Sequence, residues 1–258
     1  MLKPRIIPTL LLKGLDLVKT KKFSNPKYLG DPLNTVKIFN EKKVDELVIF
    51  DIEATSQNKE PNFKLLEKIA NVSRMPLAYG GGVKNISQFQ KIINLGIEKV
   101  VINSAFIENK NLIKECSEQF GSQSVVVCLD VKEKGLFKTN YKVCVNNGKN
   151  LVNEDFFALT KLAQEYGAGE LIINCVDREG TYIGFDLAII EDIKKEINIP
   201  ITLVGGASNH ENIKSLFKKY RVIGAGVGSL FVFKGKYKAV LIQYPSKTER
   251  LSIENDIN

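Results

Sequence analysis

The chain of 258 residues holds a single histidine, His210, and no tryptophan. Zinc sites built on several histidines, and acid/base schemes that pair two imidazoles, are thereby excluded. Its four cysteines, Cys116, Cys128, Cys144 and Cys175, form no CxxC pair, so neither a zinc knuckle nor a redox motif is written into the sequence. They read as reduced structural thiols, which points to the cytoplasm. Long apolar runs are missing too. Ile6 to Leu12 is interrupted by Pro8 and closed by Lys13, too short for a membrane span and without a small-residue cleavage site, so no export or insertion signal is expected. Chemistry is left to carboxylates, lysines and backbone amides, with no metal or cofactor implied.

What is present is an ordinary soluble composition, 44% hydrophobic and 26% charged, with ample apolar material for one large domain. The net charge of +8 is uneven: residues 1–124 carry 19 basic and 13 acidic side chains, residues 125–258 carry 18 and 16. Lys19, Lys21, Lys22 and Lys27 fall between Leu17 and Gly30 with no acid among them. Four lysines make too short a stripe for nucleic acid, and Phe23 and Tyr28 do not recur at a base-stacking interval. A phosphorylated small molecule is the favoured anionic partner, with no nucleic acid and no membrane.

Short β-branched runs alternate with stretches of helical spacing. Ile6 to Leu12, Leu47 to Ile52, Pro76 to Tyr79, Val100 to Asn103, Ser124 to Asp130, Leu171 to Cys175, Ile199 to Val204 and Val222 to Val227 read as buried parallel strands. Eight such units without a linker predict a single (βα)8 TIM barrel, with a doubly wound open sheet as the alternative. A repeat favours closure: Gly81-Gly82 recurs as Gly205-Gly206 and LVIFDIEAT as LIINCVDREGT, each 124 residues on, and Ser104 recurs as Ser229 after 125. The barrel is expected over 1–244, as half-barrels of about 1–122 and 123–244, followed by a loose polar tail over 245–258. Residues 13–30 read as a basic, turn-rich loop, and 134–150 as a small hairpin around Asn146-Asn147-Gly148.

The two glycine pairs end strands three and seven, and each is followed by a strand that ends in a serine at a helix start. Glycine lets backbone amides approach an anion closely. Either pair alone is as readily a tight turn; together, in register with Ser104 and Ser229, they suit a ligand with phosphate at both ends. Gly180 and Thr181 of DREGT belong with the second nest. Asp130, ending strand five, is placed as a general acid or base, with Lys132 able to tune it. Asp51 and Asp177 end strands two and six in equivalent places; Asp177 is counted with the phosphate- and substrate-binding residues, although at either position a carboxylate can equally cap the following loop. At the opposite strand ends Arg5, Glu46, Lys99 and Glu170 could close a ring of alternating charge, or simply mark the solvent boundary. His210 reads as an exposed helix start.

The segments RIIP, DELVIFDIEAT, GGGV, KVVINSA, FGSQSVVVCLDVK, GAGELIINCVDREGT and VGGA together resemble the cyclase subunit of imidazole glycerol phosphate synthase, over residues 4 to about 233. The resemblance implies a barrel that binds a bisphosphate substrate and takes ammonia through its interior from a docked glutaminase subunit. It releases imidazole glycerol phosphate and an aminoimidazole carboxamide ribotide. It further implies Asp130 as one catalytic carboxylate and Lys19 as a substrate-loop lysine. One phosphate site falls on Gly82, Asn103 and Ser104, the other on Gly180, Gly206, Gly228 and Ser229. Arg5, Glu46, Lys99 and Glu170 become the ammonia gate at the glutaminase face.

The departures from the family pattern carry as much information. Where the first strand normally reads CLDVK, this chain has Thr9-Leu10-Leu11-Leu12-Lys13, so Leu11 stands at the second catalytic aspartate and can move no proton. Glu179 replaces the usual aspartate, and KGKYKAVLIQYPS replaces the final helix. TLLLKG with SLFVFKGKYKAVLIQYP resembles a diverged second-copy branch, found with a glutaminase-like partner and a sugar amidotransferase in surface-polysaccharide pathways. Three functions stay open: an ammonia-delivering barrel for sugar amidation, a working cyclase of histidine biosynthesis, and a non-catalytic phosphate-binding scaffold that activates its glutaminase.

Overall fold

The computed structural model describes residues 3–134 and 141–255. In chain order the first strands are β1 (Arg5–Lys13), β2 (Asp16–Lys21), β3 (Ser24–Gly30), β4 (Leu47–Asp51), β5 (Leu77–Gly80) and β6 (Lys99–Ile102). They are followed by β7 (Val125–Glu133), β8 (Tyr141–Val145), β9 (Asn150–Leu151), β10 (Glu170–Cys175), β11 (Ile201–Val204) and β12 (Gly224–Val227). Eight of these run parallel in the order β1-β4-β5-β6-β7-β10-β11-β12, and β12 pairs with β1, so the sheet closes on itself. The eight expected strands are all present, and closure decides for the barrel over the open sheet.

Alternation along the strands separates two cores. Ile7, Val48, Ala78, Val101, Val126, Cys128, Ile172 and Val204 point inward and line the barrel axis, with Phe50 packed on them. The residues between them in sequence face outward into a larger core beneath the surrounding helices. Those helices start where the sequence supplies caps. Asp31, Asn62, Asn85, Asp155 and Asn209 each accept a hydrogen bond from the backbone two or three residues into the following helix. All four cysteines are free thiols and buried. No described helix is long and apolar enough to cross a membrane.

Three sequence expectations need correction. Residues 13–30 are not a loop but an antiparallel hairpin, in which β2 extends the sheet from β1 and β3 pairs with β2. Asp130 does not end its strand, because Asp130–Glu133 continue in β7 to pair with Tyr141–Cys144 of β8. The segment 134–150 does turn at Asn146-Asn147-Gly148, all at positive φ, between β8 and β9; residues 135–140 of it lie outside the described residues. The loose tail is instead a helix, Lys247–Asn255, which packs on the helix His210–Tyr220 and buries Ile253. Its start is a capping box, Ser246 and Glu249 each accepting from the other's backbone N–H. Residues 256–258 of the expected tail lie outside the described residues. A short strand pair, Phe233–Lys234 with Ala239–Val240, fills part of the stretch where the resemblance leads one to expect a helix.

Candidate functional site

The carboxyl ends of the strands surround a cavity of about 410 Å³. One wall is the glycine turn after β5, with Gly81 and Gly82 both at positive φ. A Cβ on Gly82 would sit 2.7 Å from the Lys59 carbonyl oxygen, so only glycine lets this turn pack so tightly. Asn103 and Ser104, at the start of the short helix Ser104–Glu108, complete that side. These residues were expected together and are together.

Asp130 lies buried on the cavity floor. Its neighbour across the parallel register is Asn174 on β10. Asn174 Nδ2 donates to Oδ1 and Asn103 Nδ2 to Oδ2, each at 2.8 Å. Burial pushes the Asp130 carboxyl up to about 6, against the downward pull of the two amide donors. Serving Asp130 leaves the other end of each amide unsatisfied: Asn103 Oδ1 and Asn174 Oδ1 are buried with no hydrogen-bond partner among the described residues, as is Thr20 Oγ1. All three residues line the cavity, so its interior offers acceptors to a ligand bearing N–H or O–H groups. Leu11 lines the same cavity and is buried against it.

Asn174 was missed by sequence reading, although the inward alternation Glu170, Ile172, Asn174 places it beside Asp130. Lys132 does not tune Asp130; its ammonium donates to the Gly148 carbonyl in the β8–β9 turn at 2.6 Å. Asp51 and Asp177 both serve the backbone. Asp51 accepts from Glu53 and Ala54 at 3.0 Å, and Asp177 from Glu133 at 2.9 Å. Thr181 donates to the Arg178 carbonyl and, with Asp177, stands away from both pockets at this end.

The second glycine turn is built differently in effect. Gly180, Gly206, Gly228 and Ser229 do gather, but around a space of only about 30 Å³. A Cβ on Gly206 would lie 2.1 Å from the Gly184 carbonyl oxygen, so this turn too needs glycine. Lys19 of β2 reaches into it and pairs with Glu179, both side chains about 94% buried. Glu179 also accepts from the Phe23 backbone, and its own carbonyl from the Lys22 N–H at 2.9 Å. Burial draws the Lys19 ammonium down to about 7.

At the other end of the barrel the four charges do close a ring. Arg5 meets Glu46 at 2.5 Å and Glu170 at 2.7 Å, while Lys99 meets the same two at 2.8 and 2.9 Å. Thr202 Oγ1 adds a donor to Glu170 at 2.6 Å. Burial pushes Glu170 upward, but the charges of Arg5 and Lys99 and the donors they supply outweigh it and hold its pKa below the ordinary carboxylate range. His210 opens its helix as expected but is half-buried rather than exposed, with Nδ1 3.8 Å from Glu249.

The histidine biosynthesis protein family matches residues 5–238. A protein of Leptospira borgpetersenii, provisionally named imidazole glycerol phosphate synthase subunit HisF, is 47% identical over 250 residues, 97% of this chain and 98% of its own length. A protein of Pseudomonas aeruginosa, provisionally named as the same synthase's subunit hisF2, is 44% identical over 95% of this chain and 97% of its own. The imidazole glycerol phosphate synthase subunit HisF of Streptococcus mutans is 37% identical over 90% of this chain and 91% of its own. A closed barrel matched over nearly its whole length, with relatives of this identity covered end to end, shows that the chain belongs to the histidine biosynthesis protein family as a homologue of imidazole glycerol phosphate synthase subunit HisF.

Proposed function

We propose that this barrel receives ammonia from a glutaminase subunit docked on the Arg5–Glu46–Lys99–Glu170 end and passes it along the axis toward Asp130. In this reading it is a diverged paralogue whose ammonia goes on to a sugar amidotransferase in surface-polysaccharide synthesis. The observation that carries the reading is the contrast between the two ends: four charges form a complete ring at one, while at the other Leu11 lines the same cavity as Asp130 and offers no second acid/base group. A conduit needs the ring and the partner face, whereas ring closure of the bisphosphate substrate needs protons moved on both sides of it. Loss of one of two acid/base groups removes a contribution of ~10²–10⁴-fold.

The second reading, a working cyclase, draws on Asp130 itself. A buried carboxyl pushed up to about 6 and oriented by two amides suits acid/base work near neutrality. Turnover decides between them. With the phosphoribulosyl-formimino bisphosphate substrate and a high ammonium concentration, the conduit reading expects little consumption by the native chain. Robust native turnover that Asp130→Asn abolishes would overturn it. Delivery is followed as glutaminase-derived nitrogen reaching the acceptor, which Lys99→Ala is expected to reduce and which, unchanged, would count against a gated axis.

A further inference from the structure

The two glycine turns at the carboxyl end descend from one repeated pattern, yet one faces a cavity of about 410 Å³ and the other about 30 Å³. What fills the difference is the chain itself. The β2–β3 hairpin lies over the second turn, close enough that a Cβ on Gly180 would meet the Thr20 carbonyl oxygen at 2.5 Å, and one on Gly228 the Lys19 Cε at 2.8 Å. Lys19, the cation that an anion there would seek, already holds Glu179.

We propose that the Lys19–Glu179 pair is a built-in occupant of the second nest, so that the barrel takes ligands carrying a single phosphate, bound at the first. The inference rests on reading the first glycine turn as a phosphate site and is independent of the ammonia route. The charge balance supports it. Lysine and glutamate together make the second nest neutral, and a phosphate dianion entering there meets a buried carboxylate, with no cation besides Lys19 among the described residues that line it. To admit it, Glu179 must leave Lys19 and also the Phe23 N–H that it accepts from at 3.2 Å, stranding a charge in a site with little room for water. The first nest has the opposite character. It is roomy, Lys84 lines it, and the buried Thr20 hydroxyl at its wall has no partner among the described residues and can donate to an anion. Glutamate is suited to the plugging role by length, since its carboxylate stands one methylene further out than that of the aspartate usual in the family.

The test counts phosphate sites on the whole chain with inorganic phosphate, by calorimetry and phosphorus NMR. The native protein is expected to bind one equivalent, with any second site at least roughly tenfold weaker. Ser104→Asp, which sets a carboxylate in the first nest, is expected to abolish that equivalent. Glu179→Gln, which releases the Lys19 ammonium, is expected to show a second equivalent, its affinity raised by roughly tenfold to a hundredfold. Should that variant fail to fold, Glu179→Asp keeps the charge, shortens the reach and is expected to move the second site the same way. Two equal sites in the native protein, or no second site in any folded Glu179 variant, would overturn the proposal. Retention of the single site in Ser104→Asp would place the phosphate elsewhere and overturn it also. Absence of any binding would remove the phosphate reading of the first nest, and the inference with it.

Discussion

The first nest is open and has polar atoms to spare; the second is closed and internally satisfied. Both rest on a glycine turn, a following strand and a serine at a helix start, so the turns themselves do not set the difference. A distant segment does. The β2–β3 hairpin sends Lys19 across to Glu179, 160 residues away, and in doing so turns one of two equivalent sites into part of the folded core. A half-barrel repeat supplies two similar cradles, and a single insertion after the first strand is enough to give them separate fates. The hairpin touches the first nest as well, but there Thr20 contributes an orphaned hydroxyl rather than a plug.

The largest effect that would break this comparison is on stability. Lys19→Met leaves Glu179 buried without its cation and is expected to lower the unfolding free energy by about 3–5 kcal/mol in urea at neutral pH. Lys84→Met, at an exposed lysine lining the open nest, is expected to stay within about 0.5 kcal/mol of the native chain. The double variant Lys19→Met with Glu179→Leu should recover most of the loss, because an apolar pair of similar volume carries no desolvation debt. Equal, small effects of Lys19→Met and Lys84→Met would mean that the closed nest contributes nothing to the fold.

Next in size is a pH dependence that belongs to the open nest. Asp130 has a folded pKa of about 6, above the ordinary value near 3.8, so the folded state binds its proton more tightly than the unfolded state does. Stability contributed by that proton is fully present below about pH 4 and is lost as pH rises through 6, a fall on the order of 2–3 kcal/mol. Asp130→Asn should flatten this slope and raise stability at neutral pH. An amide at 130 can accept from one asparagine and, with the other turned over, donate to its formerly orphaned carbonyl. A slope that survives Asp130→Asn between pH 4 and 7 would assign the titration to another group.

Several of these features were legible in the sequence, and the reason differs case by case. The barrel was legible because parallel strands buried on both faces leave unbroken β-branched runs, and the 124-residue repeat argued for closure. The charge ring was legible because Arg5, Lys99 and Glu170 open their strands and Glu46 stands one residue before β4, so all four fall at one end of the barrel. Asp130 and Asn103 were each found, though not their hydrogen bond, while Asn174 was missed, since it looks like any polar residue until the strand alternation is followed inward. The closed nest was illegible for a stronger reason: nothing local to Lys19 or to Glu179 announces the other, and the pairing exists only once the hairpin folds back over the barrel mouth. The terminal helix was concealed by a polar face, although its Ser246 and Glu249 form a capping signature that sequence alone contains.

The smallest effect sharpens the comparison at its edge. Lys132 follows Asp130 by two positions in β7, which would suggest that it modulates the carboxyl, but its ammonium is committed to the Gly148 carbonyl and holds the β8–β9 turn against the open nest. Lys132→Met is therefore expected to cost only about 0.5–1.5 kcal/mol, the worth of one hydrogen bond, and to leave the Asp130 midpoint near 6, as read by carboxyl carbon NMR. An upward move of that midpoint would show that Lys132 does act on the carboxyl. The open nest would then have a tuning cation of its own, and the two nests would differ in which lysine is spoken for rather than in whether one is.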